Sequence, residues 1–404
     1  MLFDEQKAEE KIRNRSTTRE RWRTSMRQKR MRIDKRTILF VSAIVVLLAG
    51  IVFVRSALHS ASRKNEAETS VASMESQVQS VQEEKEVPQI PDDAMPKAGE
   101  VAENTSITIS AAGDCTLGKD PAAAYKTSLN AFYDAQGASY FLSGVKDIFA
   151  SDDLTIVNME GTLTDSEKIV EKAFNFKADP AYAQILTEGS VEAANLANNH
   201  SHDYSDEGYE DTIVALDDAG IANFGYERET SLEINGLKIT LLGYNMLADR
   251  TENQKQMKES VSKAKVGGSN LVIVSFHWGK ERQYSPVDYQ KETAHAAIDA
   301  GADLVLGHHP HVLQGIEKYK DRYICYSLGN FCFGGNKNPS DKDTMIFQQT
   351  FTFENGNLLD DDNVKIIPCS LSSSSKKNDY KPRVLEGAEK DRVMKKIEDM
   401  SDFS

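Results

Sequence analysis

Asp303-Leu-Val-Leu-Gly-His-His-Pro-His311 is the stretch on which the reading of this chain turns. Residues 303–306 have the length and apolar character of a short buried strand, and Gly307, His308, His309, Pro310 and His311 follow at its C-terminal end. Three imidazoles within four residues would repel one another when protonated and have no obvious packing role, so metal ligation is the better account of them. Strand alternation puts His309 and His311 together and His308 opposite, so His308 is expected to face away.

Outward from this point the same grammar repeats. Residues 106–112, 154–159, 191–197 and 271–276 read as strands, each with polar residues waiting at its C-terminal end: Gly113-Asp114, Asn158-Met-Glu160, Asn198-Asn-His200 and His277-Trp-Gly279. Helical stretches at 180–186, 206–219 and 287–300 lie between strands, which implies an α/β domain with a mixed sheet. Asn235-Gly236 between two apolar runs is a hairpin signal. Further β-structure is expected at 323–327, 345–353 and 364–368, and a surface helix at 381–400. Ligands bind beyond the carboxyl ends of strands in such sheets, so five polar turns can converge although they are far apart in sequence.

Each turn alone has a plainer reading. Gly113-Asp114 could be a simple turn, Asn158 and Asn199 could satisfy local backbone, and His277 could be a hydrogen-bonded core imidazole. Together they form an oxygen and imidazole donor set, which suits Mn, Zn or Fe better than Mg alone. No Cys-x-x-Cys pair is present, so a structural thiolate zinc site is not expected. The four cysteines are too few for a disulfide framework in 404 residues and read as isolated buried thiols, with a Cys325–Cys332 link as the alternative.

The N-terminal quarter has a different character. Residues 1–36 are crowded with Arg and Lys, and residues 38–54 carry no charge and one polar residue, Ser42. Such a run reaches about 26 Å as a helix, so Thr37 and snorkelling Arg36 and Arg55 complete a span across a ~30 Å hydrocarbon core. The expected organisation is a basic cytoplasmic tail (1–36), a transmembrane signal anchor (37–55) and a flexible stalk (56–104). A main domain (105–370) outside the cytoplasmic membrane follows, then a linker and C-terminal helix (371–404). A cleaved signal peptide is the nearest competitor, but its n-region would be unusually long and no clear Ala-x-Ala site follows. A formal net charge of -14 argues against nucleic acid as a partner.

At this point the motifs combine into a resemblance. Ala112-Gly-Asp114, Val157-Asn-Met-Glu-Gly161, Ala197-Asn-Asn-His-Ser-His-Asp-Tyr204, Phe276-His-Trp-Gly279, Gly307-His-His-Pro-His-Val-Leu-Gln314 and Tyr326-Ser-Leu-Gly-Asn-Phe331 resemble, in order, the CapA (PgsA) family of capsule-synthesis proteins. That family is linked to poly-γ-glutamate synthesis or export. The resemblance implies a calcineurin-like metallophosphoesterase fold, a β-sandwich flanked by helices. It implies that Asp114 and His311 hold one divalent ion, that Asn199, His277 and His309 hold a second, and that Glu160 bridges them. His200 would be the outer-sphere histidine that protonates a leaving group, oriented by Asp203. Implied partners are an anionic surface polymer or its phosphorylated precursor, the other membrane subunits of a polymer synthase, and the membrane itself.

Two departures from the wider superfamily bear on the activity. Its first motif usually reads Asp-x-His, where this chain has Asp114-Cys115-Thr116, and Asn158-Met-Glu160 replaces Gly-Asp-x-x-Asp. The first ion then lacks one ligand, and occupancy by one ion rather than two stays open. Asn330 either completes the site or shapes it. Two other functions remain as alternatives: a non-catalytic polymer-binding scaffold and a secreted nucleotidase.

Overall fold

The computed structural model describes residues 104–359 and 363–403. The expected basic tail, transmembrane anchor and all but the last residue of the stalk lie outside the described residues. Among the described residues, no helix is long and apolar enough to cross a membrane.

Two mixed sheets face each other. In the nine-stranded sheet the order is β17 (Arg383–Val384), β16 (Val364–Ser370), β14 (Asp343–Glu354), β1 (Asn104–Thr116), β2 (Leu154–Met159), β5 (Ala193–Asn195) and β6 (Ala222–Phe224). Beside this path, β13 (Asn330–Phe333) pairs with β1 and β15 (Asn357–Leu358) with β14. The six-stranded sheet runs β11 (Ile316–Tyr319), β12 (Arg322–Cys325), β10 (Leu304–His308), β9 (Leu271–His277), β8 (Leu237–Asn245) and β7 (Thr230–Ile234). A short pair, β3 (Thr162–Leu163) with β4 (Lys177–Ala178), stands apart.

Hydrophobic patterning explains the layers. The middle strands β1, β2, β9 and β10 pair in parallel and are buried along nearly their whole length, as parallel strands covered on both faces must be. Between the sheets lie Ile107, Ile109, Leu154 and Ile156 from one and Ile239, Leu241, Ile273 and Leu306 from the other. The outer face of the larger sheet is covered by α1 (Leu129–Gln136), α2 (Lys146–Phe149), α3 (Gln184–Glu188) and α4 (Ser205–Asp218). α5 (Arg250–Val266) and α6 (Asp288–Ala300) cover the smaller one. On α4 the buried positions Gly208, Thr212, Ala215 and Leu216 recur at helical spacing, and Asp206 and Glu207 in its first turn complement the helix dipole. Edge strand β7 alternates between half-buried and exposed positions, and its hairpin to β8 turns on Asn235 and Gly236, both at positive φ as a type I′ turn requires.

Some boundaries differ from the sequence expectation. The strand expected at 191–197 contracts to Ala193–Asn195, because the Asn195 side chain accepts from Ala197 N at 3.2 Å and Leu196 N turns to Phe224 O. The helix expected from 381 begins at Gly387, since Arg383 and Val384 first pair with Ser370 and Cys369 as an added edge strand. This last helix, α7 (Gly387–Met400), buries Val393 and Ile397 among the residues of the inter-sheet core. Residues 371–403, expected as a linker and helix, are thus built onto the sheets: β17 adds to β16, Arg392 and Lys396 pair with Asp343 of β14, and Asp402 bridges to Glu317 of β11. All four cysteines are buried and free.

One close approach positions the site. A Cβ on Gly113 would lie 1.9 Å from Gly329 O, and Asp114 N donates to that same carbonyl at 2.9 Å. The β1–β2 register also shifts between Ala111 and Asp114, an irregularity of the kind that re-aims a side chain. Gly113→Ala is therefore expected to cost about 3 kcal/mol of stability, since backbone rather than a mobile side chain blocks the methyl group. Chemical denaturation of the purified variant checks this, and an unchanged midpoint would contradict it.

Candidate metal centre

Strand register brings the polar ends together in two rows. Across the larger sheet Asp114 pairs with Asn158 and Asn158 with Asn195; across the smaller one Asn245 pairs with His277 and His277 with His308. Asn195 Nδ2 donates to Asn158 Oδ1 at 2.9 Å, and Asn158 Nδ2 donates to Asp114 Oδ1 at 2.9 Å while standing 3.3 Å from His277 Nδ1. Asn158 thereby links the two sheets at the bottom of the site. The plainer reading of it as a local turn residue does not describe its contacts.

Above this floor, two groups of potential ligands form with one member in common. Glu160, His277 and His309 make the first, and Asp114, Glu160 and His311 the second, each with donor atoms within 4.8 Å of one another. Glu160 is fully buried, and neither of its carboxylate oxygens has a hydrogen-bond partner. Its Oε1 lies 3.6 Å from His277 Nε2 and 3.7 Å from His311 Nε2. Asn199 Oδ1 meets His277 Nε2 at 2.6 Å. A buried carboxylate without partners is costly unless a cation or proton compensates it. These largely buried Asp, Glu and His groups could therefore hold a metal ion, and together they offer the mixed oxygen and imidazole set that suits Mn, Zn or Fe.

The backbone is bent to build this arrangement. β10 ends at His308, and His309 and His311 then take φ of 95° and 57°, left-handed conformations that cost side-chain-bearing residues about 1–3 kcal/mol each. Strand alternation consequently fails there. His308 does not face away: it is buried, with Nδ1 3.6 Å from Asp114 Oδ1 and both ring nitrogens lacking a hydrogen-bond partner. Asn330 shapes His311 from both ends, its Oδ1 2.9 Å from Nδ1 and its Nδ2 donating to His311 O at 3.2 Å. Cys115, next to Asp114, packs into the hydrophobic core under α1–α4 and offers no ligand to the site.

Electrostatics follow from burial and crowding. Burial pushes Glu160 up to about 8, only partly opposed by the charge of His311. Burial would lower His311, but Glu160 and Asp114 raise it to about 10. For Asp114 burial is outweighed by His308 and His311, which hold it well below the usual carboxylate range. Burial and neighbouring imidazoles lower His277 strongly and take His309 down to about 4, leaving both neutral and free to ligate.

At the rim, His200 Nδ1 lies 2.8 Å from Asp203 Oδ2. Burial lowers the His200 pKa, with Asp203 opposing, so near pH 7 the ring is neutral with its proton on Nδ1 facing the carboxylate. Phe176 N also donates to Asp203 Oδ2, at 2.6 Å, and the Phe176 ring packs on the imidazole at 4.4 Å. Sequence reading did not single out Lys172, whose Nζ donates to Asp203 Oδ1 at 2.5 Å and to Asn199 O at 2.6 Å.

Comparison with known proteins places the chain in a family. Residues 108–335 match the model of the bacterial capsule synthesis protein family PGA_cap. The chain is 29% identical over 321 residues to a capsule biosynthesis protein CapA of Bacillus anthracis, covering 73% of this chain and 74% of that one. It is 32% identical over 222 residues to a PGA biosynthesis protein CapA of Bacillus subtilis, covering 50% of this chain and 58% of that one. A probable polyglutamine synthesis accessory protein of Mycobacterium tuberculosis is 25% identical over 255 residues, 54% of this chain and 66% of that one. With Asp114, Glu160, His277, His309 and His311 all falling inside the matched region, the chain belongs to the bacterial capsule synthesis protein family PGA_cap, the CapA-type proteins of capsule and poly-glutamate synthesis.

Proposed function

We propose that this protein is a membrane-tethered component of capsule or poly-γ-glutamate synthesis or export. Its centre is a two-cation hydrolytic site of the metallophosphoesterase type, acting on an anionic surface polymer or its phosphorylated precursor. The observation that carries the proposal is Glu160: a buried carboxylate with no hydrogen-bond partner on either oxygen, common to both ligand groups. Asp114 and His311 would hold one ion, Asn199, His277 and His309 the other, with Glu160 between them. Bound cations would supply an acidified water as nucleophile and positive charge against that developing on the substrate.

The remaining steps belong to the chain. Asn158 fixes the Asp114 carboxylate, and Asn330 fixes the His311 ring. His200, its Nδ1–H committed to Asp203, exchanges protons through Nε2: neutral at rest, it takes up a proton from solvent water on Nε2 and delivers that proton to the leaving-group oxygen. The basic block at 1–36 and the apolar run at 38–54 support a cytoplasmic N-terminus and a domain outside the membrane, where a surface polymer would be met.

Turnover of a simple phosphodiester by the purified full-length protein tests the proposal. Hydrolysis should disappear on chelation and return with Mn or Zn. Cys115 and Thr116 in place of the usual motif histidine favour a second reading, a scaffold that binds polymer without cleaving it. Bound cation with no turnover of phosphodiester or γ-glutamyl substrates would select that second reading.

A further inference from the structure

Between Thr164 and Phe176 the chain forms neither helix nor regular strand, and four of its hydrogen bonds converge on one residue, Asp203. Val170 N donates to Asp203 O at 3.0 Å, Asn175 Nδ2 to the same oxygen at 3.1 Å, Phe176 N to Asp203 Oδ2 at 2.6 Å, and Lys172 Nζ to Asp203 Oδ1 at 2.5 Å. The Asp203 side chain is fully buried and that of Lys172 is 28% exposed. Lys172 Nζ also donates to Asn199 O at 2.6 Å and stands 3.4 Å from His200 Nδ1.

Two consequences follow from the donor count. An ammonium has three protons; two are committed, to Asp203 Oδ1 and Asn199 O. The Asp203 carboxylate is thereby held at both oxygens, by Lys172 on Oδ1 and by Phe176 N on Oδ2, and cannot rotate about its own bond. Its remaining acceptor direction on Oδ2 faces His200 Nδ1, which fixes the imidazole in the Nδ1–H tautomer and leaves the lone pair on Nε2. Through Asn199 O the same ammonium ties down the backbone next to His200 on the side of the proposed ligand Asn199.

We propose that Lys172 is a positioning residue for the reaction: it clamps Asp203, and through it the tautomer and orientation of His200. It does so without touching substrate. The kinetic consequence rests on the hydrolytic reading above; the hydrogen-bond arrangement does not.

Two measurements on zinc-loaded full-length protein decide it. The first is nitrogen-edited NMR of the histidine ring protons at pH 8, with the His200 signal identified by its loss in His200→Gln. An Nδ1-bound proton in slow exchange is expected in wild type and in Lys172→Arg, and is expected to be lost or strongly broadened in Lys172→Met. The same signal unchanged in Lys172→Met would overturn the proposal. The second is steady-state hydrolysis of bis(p-nitrophenyl) phosphate. There Lys172→Met should lower kcat about 10- to 100-fold, the range typical of outer-shell partners, with KM and zinc content unchanged, and Lys172→Arg should recover most of the loss. A rise in KM at constant kcat, which marks a residue that grips substrate, or a kcat loss explained by lost zinc, would overturn it. If wild type turns over nothing, the hydrolytic reading fails, and the ring-proton result still decides the role of Lys172.

Discussion

Protein carrying Glu160→Gln is expected to fold and to retain neither cation. The substitution conserves volume but replaces an anionic oxygen with an NH2 group that has no lone pair to offer, at the one residue common to both ligand groups. The loss of affinity should exceed the ~100-fold that removal of an outer-shell partner typically costs. Asp114→Ala and His309→Ala should each empty one position and leave the other. Stability gives an independent reading. A cation that binds only the folded state at 100 times its dissociation constant stabilises it by about 2.7 kcal/mol, so added Mn or Zn should raise the wild-type melting temperature and leave Glu160→Gln unmoved. Without cation the sign reverses: burial opposes ionisation of Glu160, so the neutral amide should melt no lower than wild type. Differential scanning calorimetry with and without metal checks both statements, and equal metal-dependent shifts in the two proteins would contradict them.

His200→Ala should lower kcat about 10²- to 10⁴-fold, the range for loss of a positioned proton-transfer group, with cation content intact. The ring sits beside the ligand groups rather than within them, tied to Asp203 and packed on Phe176. Removing it takes away a proton carrier and leaves Glu160, His277, His309, His311 and Asp114 untouched. Asp203→Asn should produce a smaller loss, since it disturbs the tautomer without removing the ring. Kinetics and elemental analysis on the same preparations separate this from metal loss. A His200→Ala protein with full turnover, or one stripped of metal, would contradict the assigned role.

Much of the site was legible because of where its residues stand. Asp114, Glu160, Asn199, His277, His309 and His311 each follow a buried apolar run, and parallel strands in register deliver their C-terminal ends to one edge. The alternation of strands and helices indicated an α/β domain with a mixed sheet but not its division into two facing sheets, which only the family resemblance implied, and Asn235-Gly236 marked its hairpin. His308 was misread, because side-chain alternation holds only while the backbone stays extended and the positive φ of His309 ends that regime. Lys172 lies in a segment without periodicity, and only the tertiary path of residues 164–176 carries its ammonium to Asp203. Asn158 looked like an ordinary turn residue, for nothing local reveals that its amide spans Asp114 and His277. The edge strand at Arg383–Val384 was hidden for a related reason: two residues beside a proline carry no strand pattern of their own, and pairing with β16 defines them.

Central to the account is a pair of cation positions sharing Glu160. The number of transition-metal ions per chain, measured by elemental analysis after Mn or Zn loading and removal of free metal, tests this most directly. Two ions per wild-type chain and none in Glu160→Gln is the predicted result; wild-type protein that retains no metal, or a Glu160→Gln protein that retains as much as wild type, would contradict it.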